Sequence, residues 1–171
     1  IWSKPVRQLD ASPYIEGDII YVGECMGPYQ QRTPSPKAMA LNSTTGETIW
    51  NFTEPGGFEW VGSPLVNGDY VYYTTYGSGV YALNKRNGNP IWNRTDIGNV
   101  VCSVAFDNDV VFVSAFTPPG QFALNATTGK TIWHQNYGQS WDSSPIVYDG
   151  KIVQVTSSAT PSVWSTYVLN E

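Results

Sequence analysis

Charge is scarce in this chain of 171 residues: Asp, Glu, Lys and Arg together make up 13%, about half the quarter usual in soluble domains. Nine basic side chains face fourteen acidic ones, for a net charge of −5. No basic stripe is available to follow a phosphate backbone, so nucleic acid is excluded as a partner. There is one histidine, His134, and two cysteines, Cys25 and Cys102. That supply is too thin for an evident zinc site or Ser-His-Asp triad, and His134 reads as a surface residue. No apolar run approaches the roughly 18 residues of a transmembrane helix. No Gly-rich phosphate loop occurs. No window carries a 3.6-residue apolar period, which predicts essentially no helix. The chain opens at Ile1 without a signal-peptide pattern, as expected of a processed protein or a piece of a longer one.

What the chain has in quantity is aromatic residues, with 11 Tyr and 7 Trp, types that suit pleated, half-buried strands. They recur at a fixed period. Ala40 to Trp50 reads A-L-N-S-T-T-G-E-T-I-W, Ala82 to Trp92 reads A-L-N-K-R-N-G-N-P-I-W, and Ala123 to Trp133 reads A-L-N-A-T-T-G-K-T-I-W. A fourth copy begins at Val168 as V-L-N-E, and Ile1-Trp2 is the tail of another. Trp2, Trp50, Trp92 and Trp133 are thus spaced by about forty residues, the length of a four-stranded propeller blade.

A second signature runs in phase: Ala11-Ser12-Pro13, Gly62-Ser63-Pro64, Cys102-Ser103-Val104 and Ser143-Ser144-Pro145. Each opens a first strand. A Gly-Asp, Asn-Asp or Asp-Gly turn follows, then a β-branched and aromatic second strand. The strand ending Ala-Leu-Asn is the third. The turn at Gly46, Gly88 or Gly129 leads to a fourth strand ending Ile-Trp. Trp50, Trp92 and Trp133 are expected to wedge between blades over a neighbour's turn, and the glycines to supply a left-handed backbone.

The fold expected is therefore all-β: a β-propeller of four-stranded antiparallel blades, four in number, at approximately 10–50, 58–92, 100–133 and 141–171. Residues 1–3 belong to the outer strand of a preceding blade, and the fourth blade lacks its outermost strand. The missing pieces are expected from further blades or from a second chain that completes the ring.

The Ala-x-Asn-x-x-Thr-Gly-x-x-x-Trp pattern resembles the tryptophan-docking motif of propellers of the pyrroloquinoline-quinone (PQQ) dehydrogenase type. Related non-enzymatic propellers carry it too, among them the outer-membrane assembly lipoprotein. Asn42, Asn84 and Asn125 stand where Asp is commoner. The resemblance implies rings of seven or eight blades, so that four units make a partial or half ring. In the dehydrogenases a Trp stacks on the quinone, carboxylates hold Ca²⁺ and an Asp acts as base. Glu59, Trp60, Trp141 and Asp142 enter the inner strands on the face that holds ligands, and are the candidates for such a pocket. The adjacent-cysteine pair of many of these enzymes is absent. Plain lining of the tunnel is the favoured reading of the four residues, with no cofactor and no metal; PQQ with Ca²⁺ is the alternative.

Both cysteines are placed on one face by strand alternation, which makes a Cys25–Cys102 disulfide one expectation and two unrelated thiols the other. Four sequons, at Asn42, Asn51, Asn93 and Asn125, fall in predicted turns or strand ends where a glycan would be solvated. The docking motif itself promotes two of them. With few lysines and a possible disulfide, these features favour a secreted or cell-surface protein. Two functions are carried forward. The favoured one is a non-catalytic extracellular scaffold that holds protein or glycan partners with its rigid faces and the loop Glu24 to Lys37, which contains Pro28, Pro34 and Pro36. The other is a PQQ-dependent, alcohol-dehydrogenase-like oxidoreductase or its degenerate relative.

Overall fold

The computed structural model describes residues 1–25, 35–140, 143–159 and 162–170, with 157–159, 162–164, 167, 169 and 170 described by backbone alone. Most of the long proline-bearing loop therefore lies outside the described residues, as do Trp141, Asp142 and Glu171.

Short runs of β-branched and aromatic residues separated by tight turns fold into antiparallel meanders. The first sheet holds β1 (Tyr14–Glu16), β2 (Ile19–Gly23), β3 (Lys37–Asn42) and β4 (Thr48–Thr53) in sequential order. The second holds β5 (Leu65–Asn67), β6 (Tyr70–Thr75), β7 (Gly79–Asn84) and β8 (Pro90–Arg94). The third holds β9 (Ala105–Asp107), β10 (Val110–Ala115), β11 (Gly120–Asn125) and β12 (Thr131–Gln135). The fourth has three strands, β13 (Ile146–Tyr148), β14 (Lys151–Ala159) and β15 (Ser162–Asn170). One 3₁₀ turn, Thr95–Ile97, is the sole helical element among the described residues. The architecture is a partial β-propeller.

The inner strands are shorter than the Ser-Pro signature implies. Pairing starts at Tyr14, Leu65, Ala105 and Ile146, beyond each Pro13, Pro64 or Pro145 nitrogen that cannot donate to a ladder. Register is uniform elsewhere. Tyr21 faces Ala40, Tyr72 faces Ala82 and Phe112 faces Ala123. A bulge sits between Ala40 and Leu41, Ala82 and Leu83, and Ala123 and Leu124, and it aims each following tryptophan at the next blade.

That docking repeats in detail. The indole N–H of Trp2 donates to Ser43 O at 2.9 Å, that of Trp50 to Lys85 O at 2.8 Å, and that of Trp92 to Ala126 O at 2.8 Å. Each acceptor belongs to the turn of the following blade. Gly46, Gly88 and Gly129 in these turns have φ of 75°, 74° and 69°, a region costly for any residue with a Cβ. A Cβ there would also meet the indole, at 2.5 Å for Trp2, 2.6 Å for Trp50 and 2.7 Å for Trp92. The asparagines before them make the turn: Asn42 Oδ1 accepts from the Thr44 and Thr45 amides, and Asn84 Oδ1 from those of Arg86 and Asn87. A carboxylate oxygen would serve equally, which explains why Asn replaces Asp without loss of the turn.

A phenol reinforces two of these contacts. Tyr21 tilts against Trp50 with centroids 6.1 Å apart, and Tyr72 against Trp92 at 5.9 Å. Their hydroxyls donate to the same carbonyls, Lys85 O and Ala126 O, each at 3.3 Å. Burial, with Glu16 adding to it, pushes the Tyr21 phenol up to about 12, so it remains a donor at neutral pH.

Candidate functional site

The inner strands meet the channel at their first residues, where serines form a ladder between blades. The Ser12 amide donates to Ser63 Oγ at 3.1 Å, the Ser63 amide to Ser103 Oγ at 2.8 Å, and the Ser103 amide to Ser144 Oγ at 3.0 Å. One rung therefore crosses each seam. Beside the ladder lies a cavity of about 550 Å³ whose wall includes Asp10, Ser12, Ser63, Tyr76, Ser103 and Ser144. Asp10 Oδ1 accepts from Gln8 Nε2 at 2.7 Å.

The chemistry of this wall is that of a hydrogen-bonding surface. Among the described residues it presents hydroxyl groups, one carboxylate, and no amine, guanidinium or imidazole. A serine hydroxyl needs an adjacent base to become a nucleophile, and the wall's one carboxylate, Asp10, is engaged by Gln8. His134 is exposed on the outer strand β12, stacked on Phe122 with ring centroids 4.0 Å apart.

Of the four residues proposed for a quinone pocket, the two described, Glu59 and Trp60, do not line this cavity. Trp60 is fully buried between blades one and two, edge-on to Tyr73 and Tyr81 at 5.5 and 5.4 Å and tilted against Phe52. With no exposed face it cannot stack on a cofactor, so the expectation that it lines the channel is corrected. The reason is Gly23, whose absent side chain leaves room for Trp60 Cβ, 2.7 Å from where a Cβ would stand. Glu59 is half-buried at the same strand entry and uses its carbonyl to accept from the Tyr76 amide at 3.1 Å. Trp141 and Asp142 lie outside the described residues. PQQ carries three carboxylates, and the cavity wall offers no cation to meet them. Nor do three metal-ligating side chains stand together among the described residues. The described residues do not fit the quinone or its Ca²⁺.

In the structure no bond joins Cys25 to Cys102. Cys25 ends the run after β2 in blade one, whereas Cys102 leads into blade three, with blade two between them. Both are buried as thiols, and Cys102 Sγ donates to Ser114 O at 3.3 Å. Strand direction alone placed them on one face and could not see the intervening sheet. Of the sequon asparagines, Asn51 and Asn93 are exposed on the outer strands β4 and β8, while Asn42 and Asn125 are partly buried in docking turns.

Two buried carboxylates were not singled out in the sequence. Glu54, 4% exposed, directly follows β4 and accepts from the Phe58 amide at 3.1 Å, Ser78 Oγ at 3.0 Å and Tyr81 Oη at 3.1 Å. Burial raises its pKa, but the hydrogen bonds from Phe58, Gly56, Ser78 and Tyr81 outweigh it and leave the carboxyl below its ordinary value. It clips blade one to the β6–β7 hairpin of blade two. Glu24 accepts from the Arg7 and Lys37 amides at 3.0 and 3.1 Å and ties the N-terminal segment down. Both replace a backbone partner that a loop lacks. Across the next seam Arg94 pairs with Asp96 through two 2.7 Å contacts and reaches Gly129 O at 2.9 Å.

Known proteins share this arrangement. The family model described as outer membrane protein assembly factor BamB matches residues 1–103 and 95–166. The tetrathionate hydrolase of Acidithiobacillus ferrooxidans is 31% identical over an alignment that covers 59% of this chain and 25% of that protein. Among solved structures, BamB from Moraxella catarrhalis superposes with a TM-score of 0.68 at 19% identity, over 96% of this chain and 50% of that one. A quinohemoprotein alcohol dehydrogenase from Pseudomonas putida superposes with a TM-score of 0.63 at 16% identity, over 92% of this chain and 32% of that one. The chain thus spans between a quarter and a half of the length of these relatives.

Proposed function

Because the chain belongs to the PQQ-like propeller repeat family described as outer membrane protein assembly factor BamB, we propose that it is part of a non-catalytic scaffold, at the cell surface or outside the cell, that holds protein or glycan partners. The observation that carries this reading is the channel-mouth wall. It is rich in hydroxyls and has one carboxylate, and among the described residues it has no cation. Such a wall can hold neutral, hydrogen-bonding ligands. The outer-membrane role in the family description supports a cell-envelope location. The exposed sequons Asn51 and Asn93 are compatible with modification there.

The test is binding by the whole protein. Fluorescence anisotropy with a labelled unstructured polypeptide, and with neutral oligosaccharides, should give saturable binding to at least one class. Ser103→Val and Asp10→Asn should weaken it. Absence of binding to both classes would refute the scaffold reading.

A second reading is favoured by one observation, the 31% identity to an enzyme, tetrathionate hydrolase. In it these blades form the wall of a catalytic ring whose reactive groups lie elsewhere, either a hydrolase or a PQQ-dependent oxidoreductase. Turnover of tetrathionate, or of an alcohol with PQQ and Ca²⁺ supplied, by the whole protein would establish it.

A further inference from the structure

The serine ladder leaves its hydroxyl protons unspent. Ser63, Ser103 and Ser144 Oγ each accept one backbone amide, from Ser12, Ser63 and Ser103 in turn. None of the three hydroxyls donates a hydrogen bond among the described residues, so each keeps one proton and one lone pair for a ligand. The three open successive inner strands and line one cavity. Asp10, beside the first rung, spends Oδ1 on Gln8 Nε2 and has no other partner among the described residues.

An aromatic ring completes the wall. Tyr76 lines the same cavity and is 39% exposed. Its turn is held from three sides. The Tyr76 amide donates to Glu59 O at 3.1 Å, and Ser78 Oγ donates to the buried Glu54 at 3.0 Å. Phe58 packs on Gly77, where a Cβ would meet its ring at 2.5 Å. A tyrosine held in this way loses little freedom when a ligand covers it. Its face buries the C–H surface of a ligand, while the hydroxyls around it meet polar groups. A sugar ring has both surfaces: C–H groups on one face, and hydroxyls at its edge that donate and accept as serine does.

An extended polypeptide fits this wall less well. Strand addition needs free backbone amides, and at this mouth the Ser12, Ser63 and Ser103 amides are taken by neighbouring hydroxyls. An anionic ligand would meet Asp10, no cation among the described lining residues, and a chain of net charge −5, all of which repel it. We infer that the wall is a binding site for neutral saccharides. Tyr76 is the platform under one sugar ring, the hydroxyls of Ser63, Ser103 and Ser144 bond its edge, and Asp10 accepts from a sugar hydroxyl. This rests on the scaffold reading above and narrows its partner to a glycan bound at one place.

Isothermal titration of the whole protein with cellopentaose, maltopentaose and chitopentaose tests this. At least one should bind saturably. Tyr76→Leu should weaken that binding about tenfold, and Tyr76→Phe, which keeps the ring, should leave it within about twofold. Ile91→Ala, on the outer strand β8, should leave it unchanged. If the unstructured polypeptide binds and all three saccharides fail, this inference is overturned and the scaffold reading stands; if neither class binds, both fall. Saccharide binding that Tyr76→Leu does not weaken would put the glycan elsewhere and overturn the assignment. Nitration of the unaltered protein by tetranitromethane decides the matter if Tyr76→Leu does not fold. Saccharide well above its Kd should slow modification of Tyr76 at least about fivefold and leave that of Tyr148, 80% exposed on β13, unchanged. An equal rate at Tyr76 with and without saccharide would count against the site.

Discussion

Trp92→Ala is the perturbation on which the blade-docking account makes its sharpest demand. The side chain is 8% exposed, tilts against Tyr72 at 5.9 Å, covers Gly129 and donates to Ala126 O at 2.8 Å. Truncating a buried Trp costs about 3–5 kcal/mol through lost transfer free energy and the cavity left behind. The indole hydrogen bond accounts for about 1 kcal/mol of that. A domain of this kind has a total stability of about 5–15 kcal/mol, so the variant should remain folded but lose a large fraction of its margin. Trp92→Phe keeps most of the ring and drops the N–H, and should lose about 1–2 kcal/mol. Ile91, next in sequence and 43% exposed, is the control: Ile91→Ala should change stability by about 0.5 kcal/mol or less. Urea denaturation read by circular dichroism, with the slope unchanged between variants, gives each value. If Trp92→Ala and Ile91→Ala shift the midpoint equally, the indole is not what joins blade two to blade three.

Further outcomes follow from the same geometry. Gly88→Ala forces a Cβ onto a backbone with φ 74° and to within 2.6 Å of Trp50, and should lower stability by about 2 kcal/mol or more in the same assay. Ser63→Ala removes the acceptor of the Ser12 amide and should cost about 0.5–1.5 kcal/mol. Glu54, held below its ordinary pKa in the folded state, contributes stability that is present above its unfolded pKa and lost as pH falls through its folded one. The urea midpoint should therefore drop on acidification from pH 6 to pH 3, and Glu54→Gln should remove part of that slope; an identical slope in the variant would contradict the clip. Thiol titration of the denatured, unreduced protein should count two thiols, from Cys25 and Cys102; a count of zero would restore the disulfide.

The repeat was legible because its parts are local. Gly46, Gly88 and Gly129 each precede a tryptophan by four residues, and one turn followed by one strand converts that spacing into a docked indole. What escaped depends on pairs distant in sequence. Ser63 and Ser103 read as strand openers, yet their hydroxyls bridge blades, forty residues apart. Trp60 read as a channel residue because its strand entry faces the channel. Its burial comes from Phe52, Tyr73 and Tyr81 on three other strands and from the room left by Gly23. Glu54 carried no signal at all, since Ser78 and Tyr81, its partners, lie over twenty residues away.

The most direct test of the interblade docking is exchange of the indole protons, followed by nuclear magnetic resonance in D₂O. Bonded to Lys85 O and Ala126 O and shut between sheets, the Nε1–H signals of Trp50 and Trp92 should persist for hours, with lifetimes that track unfolding of the whole array. Loss of both signals within minutes, at the rate of an exposed indole, would show that the tryptophans do not lock one blade to the next.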